Sequence, residues 1–243
     1  METTLTQLLQ LRPGEKAAVV GCGGKTSVIE LLAQQNSAGS VLVAPTTKIR
    51  LPGREGAVVC TTADACLAHT PRAGIQYAGL ANPATQKLEA LPPAALAKVV
   101  EKGYGLTLLE ADGSRGLPCK GWLATEPVVP PFVTRTVGVV TVWALGRPAT
   151  EETVCRLPHF LALTGLAEGQ PITLAALAAM VGAPGGMFKN RRGAACLIVN
   201  QLENEESRRR AALLLALVEQ TYPGAIECCL FGSVRKNRWS RQR

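Results

Sequence analysis

The sequence predicts an α/β fold built on a mainly parallel sheet that is covered by helices on both faces. Short apolar runs alternate along the chain with longer segments of helical periodicity, and this order is typical of such folds. The runs are apolar at consecutive positions, as expected for strands buried on both sides. Apolar residues make up 47% of the chain and charged residues 18%, so a large core is available. We expect a single domain over residues 1–243.

Each predicted strand is a short apolar run, and each predicted helix repeats its apolar residues with a period near 3.6. The predicted strands cover residues 17–20, 41–44, 58–60, 75–78, 106–110, 137–142, 196–199 and 226–230. The predicted helices cover residues 25–35, 94–102, 158–164, 173–181 and 205–220. The first helix shows the pattern clearly, since Val28, Ile29, Leu32 and Ala33 fall on one face. Thr173 is a favourable N-cap for the fourth helix.

Three segments depart from this alternation. Residues 112–131 are rich in Gly and Pro, and an irregular stretch of this length is usually functional or disordered. Residues 150–190 are mostly helical and suggest a small lobe beside the sheet. Residues 235–243 contain five basic groups and no acid, and they carry most of the net charge of +8. We interpret them as a flexible basic tail, with contact to RNA, a membrane or an acidic partner as the alternative.

The composition argues against several classes of protein. Aromatic residues make up only 4% of the chain, which argues against a nucleic-acid platform that stacks bases. The N-terminal residues lack the pattern of a signal peptide, and no apolar run approaches the roughly 20 residues of a membrane span. We therefore expect a cytoplasmic protein with no membrane association. The eight cysteines form no C-x-x-C pair, so zinc and thioredoxin-like sites are not predicted.

The most informative motif is a glycine-rich loop between the first strand and the first helix. It reads Gly21-Cys22-Gly23-Gly24-Lys25-Thr26-Ser27. A loop in this position turns backbone amides and the positive end of the helix towards an anion, and its glycines allow close approach. Lys25 would reach the terminal phosphates of ATP or GTP, and the Thr26 hydroxyl would bind Mg²⁺. The motif predicts a P-loop NTPase-like domain, and the alternative is a glycine-rich turn with a surface lysine.

The loop departs from the full Walker A pattern, G-x-x-x-x-G-K-[ST]. That pattern requires glycine where this chain has Val19. The shorter spacing, G-x-x-G-K-T, resembles the loop of Mur-type ligases, which bind ATP.

Two acids, Glu110 and Asp112, lie at the carboxyl end of the predicted strand 106–110, as in a Walker B segment. We expect Thr26 and Asp112 to hold Mg²⁺, which prefers oxygen ligands, and Glu110 to assist the nucleophile. Either acid could serve the metal, and the two roles are interchangeable at this stage. The alternative is a strand end followed by an Asp-Gly turn.

Other polar residues follow neighbouring strands or the acids. Thr46 and Thr47 come directly after a strand and could contact Mg²⁺ or the γ-phosphate, or form a simple turn. Arg115 and Lys120 could stabilise the charge of a transferring phosphate. Equally, one of them could simply pair with one of the two acids.

The segment Asn200-Gln201-Leu202-Glu203 lies where GTPase-like proteins carry the base-binding motif N-K-x-D. Two of its three defining positions differ, because Gln replaces Lys and Glu replaces Asp. Asn200 and Glu203 are still candidates for base recognition. Because two positions differ, helix capping is the favoured alternative.

These motifs together resemble the YqeC-like family of accessory proteins for selenium-dependent molybdenum hydroxylases. The most specific part is the string Glu110-Ala-Asp-Gly-Ser-Arg-Gly-Leu-Pro-x-Lys120, followed by Glu126-Pro-Val-Val-Pro130. The resemblance extends through Gly186-Met-Phe-Lys189 and Asn200-Gln-Leu-Glu203 and covers nearly the whole chain. It departs from the family pattern at Cys22, Cys119 and Glu203.

The resemblance implies a nucleotide-binding protein in the maturation of a selenium-containing molybdenum cofactor. Its partners would be a nucleoside triphosphate and a molybdenum hydroxylase or a molybdopterin-type cofactor. One hypothesis is Mg²⁺-dependent nucleotide hydrolysis or phosphoryl or nucleotidyl transfer. The other is a nucleotide-gated chaperone or carrier with little turnover. A third hypothesis is that Cys119 receives sulfur or selenium, because nearby Arg115 and Lys120 would lower the pKa of its thiol.

Overall fold

The structure, a computed structural model, describes residues 3–50 and 56–242. The strands are β1 (Glu15–Gly21), β2 (Ser40–Pro45), β3 (Lys48–Arg50), β4 (Val58–Cys60), β5 (Gly74–Ala78), β6 (Leu80–Asn82), β7 (Lys87–Glu89), β8 (Leu106–Glu110), β9 (Cys119–Lys120), β10 (Arg135–Thr141), β11 (Val154–Cys155), β12 (Ala194–Asn200), β13 (Cys228–Ser233) and β14 (Arg238–Gln242). The helices are α1 (Leu5–Leu8), α2 (Lys25–Gln35), α3 (Ala63–Ala68), α4 (Pro93–Val100), α5 (Leu157–Thr164), α6 (Leu174–Gly182) and α7 (Glu205–Thr221).

Nine of the described strands form one sheet in the order β14-β13-β12-β10-β1-β8-β2-β5-β4. Every neighbouring pair is parallel except β13 and β14. The predicted fold class, an α/β fold with a mainly parallel sheet flanked by helices, is confirmed.

The central strand β1 shows why the sheet is covered on both faces. Ala18 and Val20 pack in one apolar cluster, whereas Ala17 and Val19 pack in a second cluster. Successive side chains of a strand point to opposite faces, so the two clusters lie on opposite sides of the sheet. All four side chains are fully buried, which explains why the strand reads as an unbroken apolar run.

The strand order reverses beside β1. From β1 the chain passes through α2 to β2, and it later returns to place β8 between them. It then crosses β1 and continues outward on the other side with β10, β12 and β13. Ligands of open α/β sheets bind where the strand order reverses in this way. The glycine-rich motif follows β1 directly and therefore lies at this point of the sheet.

The basic tail differs from its prediction, because Arg238–Gln242 form the edge strand β14. This strand pairs antiparallel with β13, and Trp239 packs against the apolar cluster that includes Leu230. The flexible end predicted for residues 235–243 was therefore wrong for Arg238–Gln242. Arg238 and Arg241 remain exposed, as is common on an edge strand, so their charge alone gave no sign of pairing.

The segment of residues 150–190 contains α5, α6 and the short strand β11. It contributes no strand to the nine-stranded sheet. The buried side chains of α5 and α6, such as Phe160 and Leu177, belong to the same apolar cluster as Val20 of β1. Thr173 caps α6 as predicted, because its side chain accepts a hydrogen bond from the Ala176 amide.

Residues 112–131 are irregular, as predicted, apart from the two residues of β9, which pair with β11. The sequence patterns also missed α1 and a small antiparallel sheet of β3, β7 and β6. Three- and four-residue elements are too short to show a period. None of the helices in residues 3–50 and 56–242 combines the length and apolar character that a membrane span requires.

Candidate functional site

The glycine-rich loop joins the carboxyl end of β1 to the first turn of α2. It leaves β1 at Gly21 and enters α2 at Lys25, as the sequence predicts. Gly23 and Gly24 have φ angles of 99° and 104°, a region that favours glycine. A Cβ on Gly23 would lie 2.8 Å from the Thr141 nitrogen, so the loop packs tightly against the end of β10. Among the described residues, the backbone amides of residues 23–26 donate no hydrogen bond. They lie at the N-terminus of α2.

Lys25 lies under the loop and pairs with Asp112. Its Nζ is 3.3 Å from Asp112 Oδ1 and donates a 2.7 Å hydrogen bond to the Gly21 carbonyl. A longer contact of 3.4 Å joins it to Ser114 Oγ. Lys25 is only 4% exposed, so the alternative of a surface lysine on a glycine-rich turn does not describe this structure.

Asp112 is fully buried and holds the loop from behind. Its two oxygens accept the Gly21 amide at 3.2 and 3.1 Å, and Oδ2 also accepts Trp122 Nε1–H at 2.7 Å. Lys120 Nζ lies 3.5 Å from Oδ2. The carboxylate is thus surrounded by donors from two stretches of the chain, residues 21–25 and 120–122.

Glu110 occupies a different position from Asp112. Its Oε2 accepts a 2.9 Å hydrogen bond from the Thr26 hydroxyl. Thr26 is half-buried, so this pair borders the accessible part of the loop, whereas Asp112 has no exposed surface. Of the two acids, Glu110 is the one that lies beside the proposed Mg²⁺ ligand on α2.

The pKa values of these groups follow from burial and from neighbouring charges. Burial raises the pKa of Glu110, and the charge of Lys25 offsets this only in part. Burial would also raise the pKa of Asp112, but Lys25, Lys120 and the Trp122 and Gly21 donors outweigh it and lower the value. Burial would lower the pKa of Lys25, but the charges of Asp112 and Glu110 raise it. At neutral pH, Asp112 is therefore a firmly ionised partner of two lysines.

Lys120 is fully buried within a chain of ion pairs, and this favours the pairing alternative over phosphate stabilisation. Its Nζ lies 3.0 Å from Glu126 Oε2 and donates a 2.6 Å hydrogen bond to the Gly113 carbonyl. Glu126 in turn pairs with Arg156, whose Nη2 donates a 2.7 Å hydrogen bond to Oε1. Sequence reasoning assigned no role to Glu126 or Arg156. Glu126 appeared only within the family string.

The cluster contains three cations and three carboxylates and is therefore electrically balanced. Its members are Lys25, Lys120, Arg156, Glu110, Asp112 and Glu126. Arg115, by contrast, is exposed, and Ser27 is exposed on the first turn of α2. The structure therefore brings Lys120 to the acids but leaves Arg115 at the surface of the irregular stretch.

Thr46 and Thr47 differ in their bonding. The Thr46 amide donates a 2.9 Å hydrogen bond to the Glu110 carbonyl, and its hydroxyl donates a 2.7 Å bond to the Val128 carbonyl. Thr46 thus ties β2 to the strand that carries the acids. The buried Thr47 hydroxyl has no hydrogen-bond partner within the described residues.

Asn200, the last residue of β12, supports the glycine-rich loop. Its side-chain amide donates a 2.9 Å hydrogen bond to the Gly23 carbonyl and accepts one of 3.1 Å from the Val234 amide. Glu203 accepts a 2.6 Å hydrogen bond from Ser233 Oγ, and its Oε2 lies 3.5 Å from Lys236 Nζ. The favoured alternative of helix capping is wrong for both residues, since Asn204 caps α7.

The cysteines near the site are buried. Cys22 lies within the loop, and burial raises its pKa to about 12. Cys119 is fully buried, and burial raises its pKa well above the usual value. The expected lowering of the Cys119 pKa by Arg115 and Lys120 was therefore wrong, and a reactive Cys119 thiolate is not supported.

Comparison with known proteins connects the site to one family. The family described as "YqeC protein" matches residues 17–158, which include the glycine-rich loop, both acids, Lys120 and Arg156. The chain is also similar to the "Uncharacterized protein YqeC" of Escherichia coli (strain K12). The two are 34% identical over 180 residues, which span 71% of this chain and 70% of the relative.

Proposed function

This chain belongs to the YqeC family, and we propose that it binds ATP or GTP together with Mg²⁺ at residues 21–27. One observation carries the proposal: the backbone amides of residues 23–26 donate no hydrogen bond within the described residues. They lie at the N-terminus of an 11-residue helix, and the buried Lys25 side chain lies beneath them. Unpaired amides and the positive end of a helix attract phosphate oxygens. On binding, Lys25 exchanges part of its contact with Asp112 for the terminal phosphates.

The donors around Thr26 fit a magnesium ion. A hydroxyl and a carboxylate, 2.9 Å apart, are hard oxygen ligands of the type that Mg²⁺ prefers. The described residues contain no cluster of three or more His, Cys, Asp or Glu that would hold a metal without help. Mg²⁺ usually binds through one or two protein oxygens plus the substrate phosphates, so Thr26 and Glu110 would hold it with the nucleotide.

We assign the two acids different roles. Glu110 serves the metal with Thr26, because their side chains are hydrogen-bonded beside the loop. Asp112 is a positioning residue: it fixes the Gly21 amide and Lys25 from within the core. Glu110 thus takes the metal role that we first expected for Asp112, and Asp112 takes a positioning role that the sequence did not suggest.

The reaction proposed is nucleotide hydrolysis or phosphoryl or nucleotidyl transfer, in which Lys25 and the magnesium ion would stabilise phosphate charge. One observation favours the alternative of a nucleotide-gated carrier with little turnover. Asp112 and Lys120 are fully buried in ion pairs with each other and with further charges, so neither faces the accessible side of the loop.

The wider role is the maturation of a selenium-dependent molybdenum hydroxylase or its cofactor. It is supported by the resemblance carried by the string from Glu110 to Lys120. A nucleotide-dependent change at the loop would then control binding of the hydroxylase or of a molybdopterin-type cofactor.

We expect Glu110→Gln to weaken nucleotide binding on the order of 10-fold or more when Mg²⁺ is present and to have little effect in EDTA. The reason is that loss of a charged ligand removes a strong contact to the metal and not to the phosphates. Titration calorimetry with ATP and GTP, with and without Mg²⁺, measures this difference. Glu30→Gln is the matched control, because Glu30 is exposed on α2 and loses the same charge.

Equal weakening in both conditions would contradict the metal role of Glu110. Phosphate release above the background of a Lys25→Ala variant would favour the enzyme over the carrier. Binding without release would favour the carrier.

A further inference from the structure

A cavity lies beside the phosphate loop at the carboxyl ends of β10 and β12. Its volume is about 410 Å³, which is within the range of small-molecule sites. Its walls come from the segment after β10 and from the start of α7. The residues lining it that matter here are Trp143, Arg147, Gln201 and Glu203.

The wall after β10 presents a flat aromatic surface. Trp143 is 54% exposed, and the Arg147 guanidinium lies 3.4 Å from the centroid of its ring. This stacking holds the indole in place while leaving more than half of the residue accessible. An exposed, oriented tryptophan beside a cavity is suited to stacking against a planar ring.

Both walls of the cavity lie close to the glycine-rich loop. Thr141, two residues before Trp143, packs against Gly23, and its hydroxyl accepts a hydrogen bond from the Trp143 amide. On the other wall, Gln201 Nε2 lies 3.9 Å from the position of a Cβ on Gly24. A ligand with its phosphates on the loop amides would therefore extend into this cavity.

The polar end of the cavity carries a fixed hydrogen-bond acceptor. The hydrogen bond from Ser233 and the charge of Lys236 lower the pKa of Glu203, so its carboxylate is ionised at neutral pH. An ionised carboxylate only accepts hydrogen bonds. Guanine presents a ring N–H beside an amino group, which are two adjacent donors, whereas adenine presents an amino donor beside an acceptor.

We propose that this cavity is the base subsite of the nucleotide site, in which Trp143 stacks against guanine and Glu203 accepts its two N–H donors. The inference rests on the proposed function, because the loop would hold the phosphates of the same ligand. It predicts that the protein prefers GTP to ATP.

The test compares three ligands on the full-length chain by titration calorimetry: Mg-GTP, Mg-ATP and Mg-tripolyphosphate. In the wild type we expect GTP to bind at least 10-fold more tightly than tripolyphosphate, and more tightly than ATP. Trp143→Ala should weaken GTP binding about 10-fold or more, the usual effect of removing a stacking ring. It should leave tripolyphosphate binding within about twofold.

Two further variants sharpen the result. Trp143→Phe should recover part of the GTP affinity, and Glu203→Gln should reduce the preference for GTP over ATP. Leu213→Ala is the control, because Leu213 is 49% exposed on α7 and does not line the cavity.

The outcomes separate the base subsite from the phosphate loop. Tripolyphosphate binding with no gain for GTP, or a Trp143→Ala variant with unchanged GTP affinity, would overturn the base subsite and leave the phosphate loop intact. If none of the three ligands binds the wild type, both proposals fail; if ATP alone binds, the guanine subsite fails and the proposed function stands.

Discussion

Replacing Lys25 with alanine is expected to remove most of the thermal stabilisation that Mg-GTP or Mg-ATP gives to the wild-type protein. A ligand present at 100 times its Kd stabilises the folded state by about 2.7 kcal/mol. If loss of the ammonium group weakens binding about 100-fold, the same ligand concentration stabilises by only about 0.4 kcal/mol. Thermal unfolding with and without the nucleotide measures the difference.

The comparison must use the ligand-induced shift and not the melting temperature itself. Lys25 is buried against Asp112, so its removal also lowers the stability of the unliganded protein. Lys98→Ala removes the same charge from an exposed position on α4 and should keep the full shift. An unchanged shift in Lys25→Ala would contradict the proposal that residues 21–27 bind the phosphates.

Asp112→Asn is expected to cause the largest loss of stability of any single charge change in the site. Asp112 is the shared partner of Lys25 and Lys120, and both cations would be left buried without it. Breaking a buried ion pair in this way costs about 3–5 kcal/mol, a large part of the stability of an ordinary domain. Urea unfolding at pH 7 measures the loss.

Glu110→Gln is the matched control, because it also neutralises a buried carboxylate. Burial already raises the pKa of Glu110, so its neutral form costs less in the folded state than that of Asp112, whose pKa is lowered. If Asp112→Asn does not fold, the double variant Asp112→Asn/Lys25→Met should recover part of the stability, because Lys25 loses its ion-pair partner in the single variant whereas Lys120 keeps Glu126. Equal stability losses in the two single variants would contradict the account of Asp112.

The pH dependence follows with the same sign. A carboxylate with a lowered folded pKa contributes stability that is present above its unfolded pKa, about 3.9, and is lost as the pH falls through the folded value. The wild type should therefore lose its stability advantage over Asp112→Asn only in strongly acidic solution.

The sequence predicted the parts of the fold that rest on local patterns. The bounds of α2 and β8 were predicted to the residue, because glycines precede both elements and each has an unbroken pattern of apolar side chains. The carboxyl-end position of the loop and the acids followed from the order of strands. β14 was missed because edge pairing depends on β13 and not on the composition of residues 238–242.

Local sequence patterns could not predict which side chains of the site contact one another. Lys120 and Arg156 are 36 residues apart and meet at Glu126 because β9 pairs with β11, which places Lys120 opposite Cys155. Whether Glu110 or Asp112 faces Thr26 depends on the turn after β8, which alternation along an extended strand cannot predict. Trp143 was overlooked because an exposed aromatic residue has no periodic signature, and its position beside the loop appears only in three dimensions.

Hydrogen–deuterium exchange of the full-length protein, with and without Mg-GTP, tests the central claim that the loop binds the phosphates. The amides of residues 23–26 make no hydrogen bond within the described chain, so they should exchange fast in the unliganded protein. With saturating Mg-GTP or Mg-ATP we expect slower exchange in peptides covering residues 21–29, and no such change in Lys25→Ala. Protection confined to other segments, or none at saturating nucleotide, would contradict the account.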